Sequence, residues 1–347
     1  MSSTLRVGIL GLGRSGWGIH ALAVAEHDAF EVVAVADPEP DRRQEAVDRF
    51  GCVAYAEPEQ VIADDRVDLV VIATPSHTHV PLAIAALEQG RHVVVEKPMA
   101  QDAAGVDEMT GAAERGGRLI TCYLPRRVDP DFLAIRKAVD DGRLGDLLLV
   151  RRTIHDFSRR RDWQMLRRFD GGALSNTAPH LLDQVLQFTD PAIDFELLAD
   201  LRHTVGAGDA EDHAFLALRP RSGSGPLVQV EASSAVALPQ PPWLVLGTTG
   251  AISGTSTDLT IRSSDPRGWA PLSLDEGPAA GRRYGTQESL TWQQAPLEIV
   301  SRRKTSLIFY DHLAASLRDG APLLVTPQSV RREIELLNQA RQQTGFR

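Results

Sequence analysis

The chain is predicted to fold as an α/β domain built on a parallel sheet, followed by an α+β domain whose sheet is mostly antiparallel. Three observations predict this. Over residues 5–122, short apolar runs alternate with helix-like stretches. A glycine-rich turn of Gly11, Leu12, Gly13, Arg14, Ser15 and Gly16 follows the first run. After Leu124 the alternation gives way to strand-rich sequence joined by Gly/Ser/Pro turns, as at 219–226. A chain of 347 residues has room for about two domains, each with its own core. The division is placed at 1–124 and 125–347.

Taken in order, the runs Leu5–Leu10, 32–36, 53–56, 69–73, His92–Val95 and 119–123 read as strands. They are continuously apolar, which suits a parallel sheet covered by helices on both faces. Helix-like stretches at 41–50 and 81–89 lie between them, the second stopped by Gly90. Beyond residue 124, a helix at 131–141 precedes a strand at 147–154, and 173–188 reads as helical. Strands follow at Phe195–Arg202, 214–218, 227–235 and 244–246, with turn residues between them that favour hairpins. Helices at 308–318 and 328–342 close the chain, and 263–304 is polar, irregular and without assignment.

Composition narrows the partners. Hydrophobic residues make up 43% and charged residues 24%, as in an ordinary soluble globular protein. A net charge of −9 argues against nucleic acid or an anionic membrane as the main partner. Arginine clusters at 159–161, 167–168 and 302–304 fit solvated faces or local ion pairs. Cys52 and Cys122 are too few for a disulfide framework and read as buried free thiols in a reducing cytoplasm. No signal peptide or membrane-spanning apolar run is read, so a cytoplasmic location is expected. No metal site is expected.

The glycine turn has the context its chemistry requires. Gly11 and Gly13 permit a tight strand-to-helix turn and close approach of the backbone to a pyrophosphate, and Gly16 permits close helix–sheet packing. Free N–H groups at the following helix start favour phosphate charge. Asp37 lies 21 residues after Gly16, where an acid bonds the adenosine ribose hydroxyls. A bound dinucleotide is expected. The Asp37 carboxylate favours NAD over NADP, while the nearby Arg42 and Arg43 keep NADP open.

Glu96, Lys97 and Pro98 follow the fifth strand. Pro98 forces Lys97 into an extended conformation at the carboxyl edge of the sheet, where ligands bind in open α/β folds. Burial and a cationic nicotinamide would both lower the proton affinity of Lys97 and suit it to shuttle protons. The Lys97–Pro98 bond is a candidate cis peptide. Pro179 belongs in a first helical turn, so a helix is expected to start near 175–177. That spacing puts Asn176, His180 and Asp183 on one face. His180, near the positive helix end, would stay neutral and serve as a base. Asn176 reads equally as an N-cap and as a substrate contact, and Asp183 as a solvated or structural acid.

These pieces, in this order, resemble the glucose–fructose oxidoreductase, inositol dehydrogenase and rhizopine catabolism family, Gfo/Idh/MocA. The resemblance is carried by residues 11–16, 73–79, Glu96–Lys97–Pro98, the 171–183 helix start, and the 320–327 stretch before the last helix. It implies a Rossmann domain followed by a domain with a large, open, mostly antiparallel sheet, whose face mediates homodimers or homotetramers. It implies that the nicotinamide lies between Lys97 and the helix bearing His180, with Thr74, Pro75 and His79 lining the cleft and Glu96 near the nicotinamide ribose. The implied activity is NAD(P)-dependent hydride transfer at a secondary alcohol of a sugar, cyclitol or related polyol. Lys97 and His180 would handle the proton. From its place at the interdomain crossing, Arg126 reads equally as a substrate contact and as a domain-linking salt bridge, and Tyr123 is a further candidate contact. Asn176 departs from the acid often found four residues before the histidine, and an amide cannot exchange a proton. Two rivals remain at this point: NAD-dependent glycoside cleavage without net redox change, and a dinucleotide-sensing regulator.

Overall fold

The computed structural model describes residues 4–274, 276–277, 289–300 and 303–346. Strands β1 (Leu5–Leu10), β2 (Phe30–Ala36), β3 (Val53–Tyr55), β4 (Leu69–Ile72), β5 (His92–Val95) and β6 (Ile120–Cys122) form one parallel sheet in the order β3-β2-β1-β4-β5-β6. The order reverses between β1 and β4, so a crevice opens at the carboxyl ends of these two strands. β4 is buried along its whole length, as its uninterrupted apolar sequence requires. A π-helical turn, Gly16–Ala21, runs into α1 (Leu22–Glu26). Helices α2 (Pro40–Phe50), α3 (Pro58–Ile62), α4 (His79–Glu88) and α5 (Ala103–Gly116) complete the layers.

The chain crosses to the second sheet through α6 (Pro130–Asp140). Its strands are β7 (Leu147–His155), β8 (Phe195–Arg202), β9 (His213–Pro220), β10 (Leu227–Ser233), β11 (Trp243–Gly247), β12 (Gly250–Gly254), β13 (Leu259–Ser263) and β14 (Gln293–Pro296). They run in the order β14-β13-β12-β11-β7-β10-β9-β8, antiparallel except for β7 with β10. Helices α7 (Ala173–Asn176), α8 (Ala178–Leu186) and α10 (Pro327–Thr344) pack on this sheet, and α8 buries Leu181, Leu182, Val185 and Leu186 against it. The opposite face carries the exposed Leu198 beside Ala217.

Three expectations are revised. The helix read at 173–188 is two helices, because the Pro179 ring cannot continue one without meeting the preceding turn, and Thr177 takes up the break at φ −116°. The boundary at residue 124 separates the two sheets but not the two cores. Leu307, Phe309, Tyr310 and Leu313 of α9 (Thr305–Asp319) pack into the first core, so the chain returns to it near its end. In the unassigned stretch 263–304, β14 adds an edge strand, while residues 275, 278–288, 301 and 302 lie outside the described residues. Cys52 and Cys122 are free and buried, and burial raises both thiols. Among the described residues, no helix is long and apolar enough to cross a membrane.

Candidate active site

The glycine turn closes the crevice from below. Gly11 has φ +86°, and a Cβ there would come within 2.7 Å of the Ala73 carbonyl oxygen. A Cβ on Gly16 would overlap the Gly11 carbonyl oxygen. These two glycines are therefore demanded by the fold itself. Gly13 is different: a Cβ there would meet no protein atom within 4 Å. The fold itself does not require a glycine at position 13, and the open backbone there lies where the sequence expects a pyrophosphate. Gly13→Ala should weaken NADH binding at least about tenfold at unchanged thermal midpoint, read by fluorescence titration and calorimetry. Equal affinity in the variant would show that no ligand approaches the turn there.

Asp37, 3% exposed at the end of β2, holds the turn from the side. Its Oδ2 accepts the Leu12 N–H at 2.7 Å and its Oδ1 the Glu39 N–H at 2.9 Å. Arg42 approaches Asp37 Oδ2 only to 3.5 Å, and Arg43 donates to the carbonyls of Asp37 and Pro38. Arg14 stands exposed at the rim, with Ser15 half-buried beside it.

The opposite lips are the loops after β4 and β5. Thr74 Oγ1 lies 2.6 Å from Thr78 Oγ1, and Pro75 is exposed beside them. His79, 1% exposed, sets Nδ1 2.8 Å from the Pro98 carbonyl and Nε2 3.0 Å from that of Thr74. It braces the two loops against each other, and burial lowers its proton affinity. Glu96 is buried, with Oε1 3.2 Å from His20 Nε2 and Oε2 accepting the Lys97 N–H. Burial works to raise the Glu96 carboxyl, but the His20 hydrogen bond and the charge of Lys97 hold it below its usual range. His20 is itself enclosed and reaches Tyr310 Oη through Nδ1 at 2.8 Å. The sequence reading missed His20 and Tyr310, which meet across 290 positions.

Lys97 and the second domain meet directly. The Lys97–Pro98 peptide is cis, and Lys97 Nζ donates to the Asn176 backbone carbonyl at 3.1 Å. Burial lowers the proton affinity of Lys97, against the opposing charge of Glu96. His180 sits in the first turn of α8, with Nδ1 buried and without a hydrogen-bond partner among the described residues. Burial, and after it the charges of Lys97 and Arg126, bring His180 down to about 3, so its ring is neutral. The Lys97 charge acts on the neutral His180 ring, and an imidazole and an amine coupled in this way can share a proton.

The face expected for Asn176, His180 and Asp183 is broken by the helix interruption. The Asn176 side-chain amide donates to the Gln164 carbonyl at 3.3 Å. Asp183 is buried against Arg127, with Nε–Oδ2 at 3.0 Å and Nη2–Oδ1 at 2.5 Å. Arg127 also donates to the Leu324 carbonyl and Ser329 Oγ, so it ties the domain crossing, α8 and α10 together. Its neighbour Arg126, the residue singled out from the sequence, is half-buried, and its charge acts on His180 and Asp129. Tyr123 is 4% exposed and packs edge-on against His20 and Phe309. Burial raises its hydroxyl.

Residues 5–124 match a family described as an oxidoreductase family with an NAD-binding Rossmann fold, and residues 132–253 match the GFO/IDH/MocA C-terminal domain. An uncharacterized oxidoreductase of Escherichia coli (strain K12) is 34% identical over 54% of this chain and 54% of its own length. Myo-inositol 2-dehydrogenase of Thermotoga maritima is 29% identical over 63% of this chain and 66% of its own. The chain thus spans 54% and 66% of the length of these two relatives. Among solved structures, an NAD-binding protein from Listeria innocua superposes with a TM-score of 0.81 at 25% identity, covering 99% of this chain and 96% of that one.

Proposed function

Because this chain belongs to the Gfo/Idh/MocA oxidoreductase family, we propose that it is an NAD-dependent dehydrogenase of a secondary alcohol on a cyclic polyol or sugar. The observation that carries this reading is Lys97 at the carboxyl edge of the first sheet, bonded to Asn176, with the unpartnered His180 Nδ1 on the next helix. When bound, the nicotinamide supplies a hydride acceptor. In the oxidation direction, neutral Lys97 accepts the hydroxyl proton, and His180 orients that hydroxyl and shares the proton. Arg126 contributes positive charge beside the developing alkoxide. The inositol chemistry named for a relative supports a ring polyol as substrate. Asp37 supports NAD, since its carboxylate would repel a 2′-phosphate and Arg43 is turned back onto the chain.

The test follows reduced-nicotinamide absorbance with NAD and NADP against inositols, sugars and their acids. Turnover with higher kcat/KM for NAD supports the proposal. Cofactor retained through purification without net reduction would favour glycoside cleavage instead. His180→Gln should lower kcat by ~10²-fold without moving the acidic limb of the kcat/KM profile. The sign follows from a ring brought down to about 3: it is already neutral across the assay range and contributes no limb. A limb displaced by this substitution would assign the titration to His180.

A further inference from the structure

We propose that Asp170 is a positioning residue that latches the second domain across the mouth of the cofactor cleft, a role that rests on the dinucleotide-binding reading above. Asp170 has φ +53°, and among the described residues no other non-glycine residue has a positive φ. It follows the turn Arg167–Phe169 and precedes Gly171 and Gly172. Glycine would hold this conformation with least strain. An aspartate kept there points to a use for its carboxylate.

That use is visible in its partners. Asp170 Oδ2 accepts from Ser76 Oγ at 3.3 Å and from Gln101 Nε2 at 3.1 Å. Ser76 follows Thr74 and Pro75 on the loop after β4, and Gln101 lies past Lys97 and Pro98 on the loop after β5. A single carboxylate oxygen of the second domain therefore touches both lips of the cleft. The contact is rigidly continued into α7. The Gly172 N–H donates to the Gln164 carbonyl at 2.8 Å, and a Cβ on Gly171 or Gly172 would collide with Gln164 or Glu211. From there α7 leads to Asn176, whose carbonyl receives Lys97. Holding Asp170 thus holds the lips closed and Asn176 against Lys97.

The test measures NADH release by stopped-flow displacement, with hydrogen exchange over 74–78 and 98–102, in Asp170→Gly, Asp170→Asn and the double variant Ser76→Ala/Gln101→Ala. Asp170→Gly removes the carboxylate and the strain, so its thermal midpoint should not fall. It and the double variant should release NADH about tenfold faster and exchange faster at both loops. Asp170→Asn keeps an acceptor oxygen and tolerates the conformation, and should stay within about threefold of wild type. Unchanged release and exchange in Asp170→Gly would overturn the latch, as would an effect that the double variant fails to reproduce. A wild-type protein that binds neither NADH nor NADPH would overturn the dinucleotide reading and the latch with it.

Discussion

Lys97→Ala is expected to lower kcat for polyol oxidation by ~10²–10⁴ while leaving NADH affinity nearly unchanged. The side chain is the amine that the fold brings to the carboxyl edge of the first sheet and holds against the Asn176 carbonyl. Lys97→Arg should fail almost as badly, because a guanidinium keeps its proton at any working pH and cannot accept another. The pH profile carries the sign. Burial lowers Lys97 from its usual value, so the accepting form is reached at lower pH than for a free lysine. Oxidation should therefore rise with pH through the Lys97 titration, and ketone reduction, which needs the protonated amine, should fall through it. Steady-state rates in both directions across neutral and alkaline pH check this. Undiminished turnover in Lys97→Ala would remove the lysine from the chemistry.

Asp183→Ala is expected to destabilise the fold by about 3–5 kcal/mol, measured by chemical denaturation. The variant leaves the Arg127 guanidinium buried with, among the described residues, only the Leu324 carbonyl and Ser329 hydroxyl as partners. A buried charge without its counter-ion costs far more than the intact pair contributes. Glu333 nearby is a poor substitute counter-ion. It is buried, its Oε2 has no partner among the described residues, and burial, the largest cause, raises its carboxyl even where the Asp183 charge is removed. Replacing both partners, as Arg127→Met with Asp183→Leu, should recover most of the loss, because no charge then remains to be solvated. A loss below about 1 kcal/mol for Asp183→Ala would mean that the pair behaves like an exposed one.

The first domain was legible because each of its signals is local. Continuous apolar runs mark β1, β2, β4 and β5 within two residues of their ends. Gly11 and Gly16 sit where the turn leaves no room for a Cβ. Helix α5 went unassigned although its signals were present: Asp102 caps its start by accepting the Gly105 N–H, and Gly117 ends it in the left-handed region. The strands β12 to β14 offered less. They are four or five residues long, and two glycines bound β12, so neither length nor period distinguishes them from a loop. In the site, Lys97 and His180 stood out by type and setting and Asp183 already read as a solvated or structural acid, but only the fold showed that Arg127 is its partner.

By itself the sequence determined the order of strands and helices in the first domain, the glycine turn at the end of β1, and the presence of an amine at the carboxyl edge of β5. Those follow from hydrophobic periodicity and backbone stereochemistry, which act over a few residues. Only the tertiary structure decided that His20 and Tyr310 support Glu96, that Arg127 rather than Arg126 makes the buried ion pair, and that Asp170 spans the cleft. Each of those depends on which side chains packing brings within about 3 Å, and a hydrogen bond at that range has no counterpart in sequence spacing.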